Sequence, residues 1–388
     1  MTELVLICPC GHRMAIRAEF LGKVGRCPRC GREVQATPEN TEPAGAVDAA
    51  PEIDLNPKPA ATPGRLRCID QLRGYAIAGM ILVNYLSEFP WVPGVFHHSK
   101  RYFTYADSIA PMFVFVVGMG FRISMQRRAA KSGGANAAWE LAKRYVILFC
   151  IAVVLYGPNF RIDLWDALTH IALAGLLCLP VMLAGALARL LAALAYLGLF
   201  TFLYLGTGYA VWMEANSMNG GPLSPLAFAF VLLAGTIIYD LLATQDRGRI
   251  FREGIIAILV LIMAAWFAWK LLPSDPGGVY APYGLYWSTA MRWALPPFVF
   301  ISTATSIAAF LFFCWLNDVA GREIPTLTIL GMNPLVIYLL QAVLLAIHGT
   351  YLPEGVGPLL GSLGFMAFYL ICYSVARRLW NSKIIIKL

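Results

Sequence analysis

Charge is what this sequence has least of. Of 388 residues only 13% are Asp, Glu, Lys or Arg, while 59% are hydrophobic. A soluble domain carries about 25% charged residues, enough to coat a water-facing surface. Half that density excludes an ordinary water-soluble fold, and the mean hydropathy of +0.65 agrees. A leader peptide is also missing from the start: the first thirty residues hold four cysteines and several charges in place of an apolar run ending in small residues. A disulfide framework is absent too. Four of nine cysteines crowd into positions 8–30, and Cys68, Cys150, Cys178, Cys314 and Cys372 are scattered, mostly in apolar segments. No internal repeat is visible, and the basic residues form no patch of the kind that grips nucleic acid. The formal charge of +8 is instead spread over helix ends, where Lys and Arg favour cytoplasmic loops and anionic lipid heads.

What is present is a chain of apolar runs. A bilayer core about 30 Å thick needs roughly 20 apolar residues per helix. Spans are expected near residues 72–90, 105–126, 144–160, 167–186, 190–212, 224–243, 253–273, 292–316, 328–348 and 357–379. An N-terminus in the cytoplasm puts Arg127, Arg128, Lys131, Lys143 and Arg144, then Arg189, then Arg247, Arg249 and Arg252, then Arg322, and last Arg377, Arg378, Lys383 and Lys387 on the inside. Little beyond Lys100, Arg101 and Arg161 is left outside. The expected fold is thus an all-α polytopic protein of the inner (cell) membrane, with about ten spans and both termini cytoplasmic. Its first partner is the lipid bilayer, nucleic acid is not expected, and a homodimer is compatible with such a bundle.

Ahead of the spans lie two further units. Residues 1–36 carry Cys8 and Cys10, then Cys27 and Cys30, each pair followed by a glycine and the pairs separated by sixteen residues. Four thiolates at this spacing suit tetrahedral Zn²⁺, and so short a segment needs a metal to compensate for its small core. A structural zinc ribbon is expected. Residues 37–64, rich in Pro and Ala, read as a disordered linker to the membrane domain at 65–388.

Polar groups inside spans are costly, and so are functional candidates. The first two spans hold the densest set. RCIDQLRGYAIAGMILVNY carries Asp70, Arg73 and Asn84; HHSKRYFTYADSIAPMFVFVVGMGF carries His97, His98, Thr104, Asp107 and Pro111. Asp70 and Arg73 fall at one membrane face, and the histidines and Asp107 at the other. An imidazole changes charge near neutral pH and can take a proton from an attacking amine or hydroxyl, or can itself be briefly acetylated, and the sequence leaves both open. Asp107 can fix its tautomer, and the Asn84 amide can donate to a thioester oxygen as charge develops there. Arg73 either holds a phosphate or simply pairs with Asp70. His170 and Lys270 are isolated and read as packing and snorkelling residues. The Trp and Tyr residues between Tyr280 and Trp293 suit an interfacial belt first and an acceptor-binding lid second.

The run Ile-Asp-x-x-Arg-Gly, Val-Asn-Tyr, His, Thr-x-Ala-Asp-x-x-x-Pro-x-Phe-x-Phe-x-x-Gly resembles the catalytic domain of heparan-α-glucosaminide N-acetyltransferase and its bacterial relatives. LGMNPLVIYLLQ, Leu330 to Gln341, resembles a late segment of the same family. The resemblance implies a membrane acyltransferase that takes acetyl from cytoplasmic acetyl-CoA and gives it to an amino sugar or glycan hydroxyl on the far side. It implies catalysis by a histidine ten positions before the motif aspartate, here His97 before Asp107, together with Asn84. Asp70 and Arg73 match the entry motif. A one-residue shift would select His98. The chain departs from the family at Ser99-Lys100-Arg101-Tyr102, where small and aromatic residues are usual. The competing readings are a small-solute transporter and a membrane-anchored zinc-ribbon sensor.

Overall fold

A computed structural model describes residues 3–9, 13–27, 33–43, 67–159, 164–272, 280–351 and 355–386. The chain divides into two compact units, residues 1–66 and 67–388.

The first unit is small and built of strands. β1 (Glu3–Ile7) pairs antiparallel with β2 (Arg13–Arg17) and, on its other edge, with β5 (Thr41–Pro43). β3 (Val24–Arg26) pairs with β4 (Glu33–Gln35). Leu6, Met14, Ile16 and Val34 alternate inward to form one core, and Cys8 and Cys27 are buried in it. Cys10 and Cys30, the other two expected zinc ligands, lie outside the described residues. The head also runs past the expected boundary at residue 36: Asn40 bridges Thr37 and the Gln35 carbonyl, and β5 then joins the sheet. That strand takes up the first residues of the segment expected as linker, whose remainder, 44–64, is outside the described residues.

The second unit is all helix. Its elements are α1 (Arg67–Leu86), α2 (Tyr105–Ser132), α3 (Gly134–Tyr156), α4 (Ala167–Cys178), α5 (Ala186–Gly206), α6 (Tyr209–Asn216), α7 (Ser224–Leu242), α8 (Arg247–Leu271), α9 (Pro296–Cys314), α10 (Pro325–Leu330), α11 (Pro334–Tyr351) and α12 (Pro358–Asn381). Six described helices are long and apolar enough to cross a membrane: α2, α5, α7 with its preceding turn, α8, α9 with the turn that follows, and α12. The other expected spans fall on α1, α3, α4 and α11. The apolar stretch Ala167–Val181 is only roughly 22 Å long at 1.5 Å per residue, less than a bilayer core.

Helix packing explains which faces are apolar. α2 and α7 are buried on nearly every side. They touch backbone to backbone: a Cβ at Gly118 would sit 2.1 Å from the Leu232 carbonyl oxygen, and one at Gly235 would sit 2.1 Å from that of Phe115. Small residues at matching positions on two helices allow this approach, which is a hallmark of packing in lipid. α8 is the opposite case, with Ile255, Leu259, Met263, Trp266 and Phe267 all exposed. α5 and α12 likewise expose Leu191, Phe202, Leu363 and Leu370. A surface this apolar requires an apolar solvent. The turn between α2 and α3 is a single residue, Gly133, whose φ of 83° ends one helix and starts the next.

Candidate active site

The site is organised by the first turn of α2. Thr104 precedes the helix in extended conformation, and its hydroxyl accepts the Asp107 amide at 3.3 Å. In return the Thr104 amide donates to Asp107 Oδ2 at 3.2 Å. This reciprocal arrangement is a capping box, and it accounts for the Thr-x-Ala-Asp spacing in purely structural terms. Only one oxygen of Asp107 is used by the cap. The other, Oδ1, accepts from His98 Nδ1 at 2.8 Å. Asp107 is fully buried, while half of the His98 side-chain surface is open. A carboxylate oxygen accepts, so in the tautomer that this contact favours Nδ1 carries the ring proton and Nε2 is the nitrogen left to accept.

The sequence count selects His97, and the structure assigns the geometry to its neighbour. Gly94–Phe96 form one 3-10 turn, and His97 closes it in extended conformation. Its Nε2 bonds back to the Val92 carbonyl at 3.1 Å. Successive residues of an extended segment face opposite ways. With His97 turned onto Val92, His98 is the ring that reaches Asp107.

Two layers hold the histidine loop. Asp166 caps α4, its Oδ1 accepting the Ala167 amide at 2.7 Å. It lies within electrostatic range of His98 and of the hydrogen-bonded hydroxyls of Tyr156 and Tyr338. Asp166 keeps some exposed surface, yet surrounding protein pushes its carboxyl above the usual range, against the opposing pull of the Ala167 amide and of His98. On the other flank, the segment 280–294 folds into a cap. Tyr280 stacks on Trp287 with centroids 3.9 Å apart, and the Trp293 edge meets Tyr280 at 4.7 Å. Trp293 Nε1 donates to the Lys100 carbonyl at 3.3 Å, and the Phe103 amide donates to Thr289 Oγ1 at 3.0 Å. Glu214 gathers Lys100, Tyr283 and Arg292 beside them. These aromatics were expected as an interfacial belt. Tyr280, Trp287 and Trp293 are instead buried, because they form the core of this cap, while Tyr286 alone among the ring-bearing residues of its turn stays exposed against Trp269.

The remaining predicted residues divide. Asn84 is half-buried two residues before the end of α1, and its side chain makes no hydrogen bond among the described residues. Asp70 and Arg73 do pair, at 3.3 Å, and Arg73 Nη1 also donates to the Gly331 carbonyl at 3.2 Å. The pair fastens α1 to the Gly-Met-Asn-Pro turn. There a Cβ on Gly331 would sit 2.2 Å from the Asp70 carbonyl oxygen. In the same turn Asn333 clamps the C-terminal tail, donating to the Ile384 carbonyl at 3.0 Å and accepting the Ile386 amide at 2.8 Å.

Sequence reasoning missed one charged cluster. Arg122 of α2 grips Asp240 of α7 through Nε and Nη2 at 2.9 and 3.0 Å. Arg189 of α5, assigned to a loop from sequence, is fully buried and bonds to Asp240, Thr236 and the Ala184 carbonyl. Arg122 Nη1 reaches the Met182 carbonyl. Every nitrogen of both guanidiniums makes a hydrogen bond, so the cluster ties three helices together. Arg and Asp inside apolar runs were the signal. His170 is also accounted for: buried, stacked on Phe228 at 4.3 Å, with Nε2 2.6 Å from Ser224 Oγ.

Taken together, the bundle is a multi-pass membrane protein with a histidine–aspartate pair at the mouth of one of its two most buried spans. Residues 65–265, more than half of the chain, match the family described as "Heparan-alpha-glucosaminide N-acetyltransferase, catalytic", and the chain belongs to that family. It is 33% identical over 137 residues to heparan-alpha-glucosaminide N-acetyltransferase of Mus musculus, a match covering 34% of this chain and 19% of the mouse protein. For the Homo sapiens protein of the same name the identity is 32% over 133 residues, 31% of this chain and 19% of that one. An uncharacterized 39.9 kDa protein from the amylase 3' region of Bacillus acidopullulyticus is 34% identical over 128 residues, or 35% of its length. The matched stretch thus spans about a fifth of the mammalian relatives.

Proposed function

We propose that this protein is a transmembrane acyltransferase that moves an acetyl group from cytoplasmic acetyl-CoA to the amine of an amino sugar, or to a glycan hydroxyl, on the extracytoplasmic side. One observation carries the reading: a buried carboxylate, held by a capping box, bonds Nδ1 of a half-exposed imidazole and leaves its Nε2 out of that contact. That is the arrangement of a general base. The names of the mammalian relatives supply the acyl group and the amino-sugar acceptor.

In the proposed reaction His98 Nε2 removes the proton as the acceptor nitrogen or oxygen attacks the thioester carbonyl. The new C–N or C–O bond forms, the C–S bond breaks, and the proton passes from His98 to the departing thiolate. Asp107 stabilises the transient imidazolium through Nδ1. Asn84 is the residue proposed to donate to the thioester oxygen, which fits an amide with no hydrogen-bond partner among the described residues. Arg73 fits the phosphates of the donor less fully, because one of its nitrogens already serves Asp70 and Gly331; a quarter of its side chain remains exposed for a phosphate. In the head, Cys8, Cys10, Cys27 and Cys30 are proposed to hold a structural zinc, a reading supported by the shared core of Cys8 and Cys27.

The deciding experiment compares two neighbouring histidines. Purified protein in nanodiscs is given radiolabelled acetyl-CoA and a panel of glucosamine-terminated and neutral glycans. His98→Ala should lower transfer about 10²–10⁴-fold, the usual contribution of a general base, and His97→Ala should lower it far less. Equal activity in His98→Ala and the wild type, or the reverse ranking, would overturn the assignment.

A further inference from the structure

Away from the histidine site, one cluster of side chains has no part in the proposed acyl transfer. Cys68 opens α1, and Cys314 closes α9. Both thiols are buried, at 3% and 2% exposure. With the exposed carboxylate of Asp318 they form a group whose ligand atoms all lie within 4.8 Å of one another. We propose that Cys68, Cys314 and Asp318 form a zinc site that clamps the start of α1 to the end of α9.

Three further features support the clamp. Tetrahedral zinc holds thiolate sulfur at about 2.3 Å and carboxylate oxygen at about 2.0–2.2 Å. Sulfur atoms around such a centre are therefore roughly 3.8 Å apart, inside the observed spread, so the ligands need only close by side-chain rotation. Second, the chain between Cys314 and Asp318 is not α-helical. Trp315–Val319 make a π-turn, closed by the Ala320 amide donating to the Trp315 carbonyl at 2.9 Å. Such turns are rare and concentrate at functional sites, and this one presents Asp318 on the side of the sulfurs. Third, Asn317 in that turn donates to Gln71 Oε1 at 3.3 Å and to the Arg322 carbonyl at 2.7 Å. Its own Oδ1 is buried with no hydrogen-bond partner. A water on the ion held by the neighbouring Asp318 is a donor of the kind this oxygen lacks.

The chemistry balances without an oxidant. Two thiols lose their protons, the carboxylate is already ionised, and Zn²⁺ replaces two protons to leave a site of charge −1. Two thiolates favour zinc over calcium or magnesium, which prefer oxygen. The exposed Asp318 edge is the entry path. Because Asp70 and Arg73 follow Cys68 by less than two turns, the clamp fixes the end of α1 that fastens to the Gly-Met-Asn-Pro turn.

The test uses full-length protein purified without chelator. Zinc per chain is measured by inductively coupled plasma mass spectrometry for the wild type, Cys68→Ser, Cys314→Ser and Asp318→Asn. Each serine variant should hold one zinc fewer than the wild type, whatever the head contributes. Asp318→Asn should release that zinc to a competing chelator about tenfold more readily or worse. A second measurement needs no variant: wild-type protein is alkylated before and after zinc removal, and the labelled peptides are identified by mass. Cys68 and Cys314 should gain label only after removal. An unchanged zinc count in both serine variants, labelling indifferent to zinc, or a Cys68–Cys314 disulfide in the protein as isolated would each overturn the proposal.

Discussion

Replacing Asp107 with Asn isolates the tautomer of His98 from everything else the residue does. The wild-type carboxylate accepts twice, from the His98 ring at 2.8 Å and from the Thr104 amide at 3.2 Å. An Asn side chain has the same shape but one oxygen and one NH₂. The Thr104 amide is itself a donor, so the Asn oxygen must turn to it and the NH₂ must face His98. There it can only donate to Nδ1, which moves the ring proton to Nε2, the atom that should be empty. The cap survives, since Thr104 Oγ1 still accepts the amide of residue 107 and the Asn oxygen still accepts the Thr104 amide, and the fold loses only the helix-dipole term of about 0.3–1 kcal/mol. The base, in contrast, is blocked. The same exchange in a serine protease lowers kcat by about 10⁴ with the geometry intact, and a loss of about 10²–10⁴-fold is expected here. The assay is transfer from radiolabelled acetyl-CoA to glucosamine at saturating donor, alongside thermal inactivation in detergent. Activity within about threefold of the wild type, with an unchanged melting curve, would refute the general-base role.

Other variants read other parts of the argument. Thr289→Ala removes the acceptor for the Phe103 amide; it should cost about 1 kcal/mol of stability and raise the acceptor KM by loosening the histidine loop, measured by steady-state kinetics. Asp166→Asn removes a carboxyl whose burial disfavours its charge while keeping a capping side chain. A raised carboxyl pKa favours the folded state at low pH and loses that contribution as pH rises through it. The variant should therefore melt higher than the wild type at neutral pH, and the gain should vanish as pH falls toward the ordinary carboxylate range. Ser224→Ala strips the partner from His170 Nε2 and should destabilise by about 1–3 kcal/mol without a specific effect on transfer, seen as a lower melting temperature at normal kcat. Gly118→Ala places a Cβ 2.1 Å from a backbone carbonyl; separation of α2 from α7 should cost ~3 kcal/mol or more, scored as loss of monodisperse protein.

How much of this could be read from the sequence depended on whether the signal was local. The helices were legible because each apolar run satisfies the bilayer by itself. The Thr104–Asp107 cap is an equally local signal, three residues apart, yet from sequence Asp107 reads only as the partner of the histidine. The choice between His97 and His98 was not legible, since counting positions cannot detect the 3-10 turn at Gly94–Phe96 that rotates one ring away. The aromatic segment 280–294 misled because Trp and Tyr serve equally well at a lipid interface and in a small core. Only the contacts with Lys100 and Phe103, almost two hundred residues earlier, distinguish the two. Arg189 misled in a similar way: an arginine at a predicted helix start reads as a loop charge until its acceptor, Asp240 on α7, is known.

The placement of Asp107 on α2 has a mechanical reason. A general base must hold its nitrogen within a few tenths of an ångström, which a loop histidine alone does not do. His98 borrows its position from Asp107, and Asp107 borrows its own from the helix it caps. α2 is locked along its length. Near its middle the Gly118–Leu232 and Phe115–Gly235 contacts leave no space between it and α7. Farther along, roughly 27 Å from the cap at 1.5 Å per residue, Arg122 is locked to Asp240 and the Met182 carbonyl. A slide or rotation of α2 would have to break the buried ion pair and drive two backbones into each other. The half-exposed imidazole is in this way held by a rigid element anchored along its length, while the loop that carries it stays open to solvent.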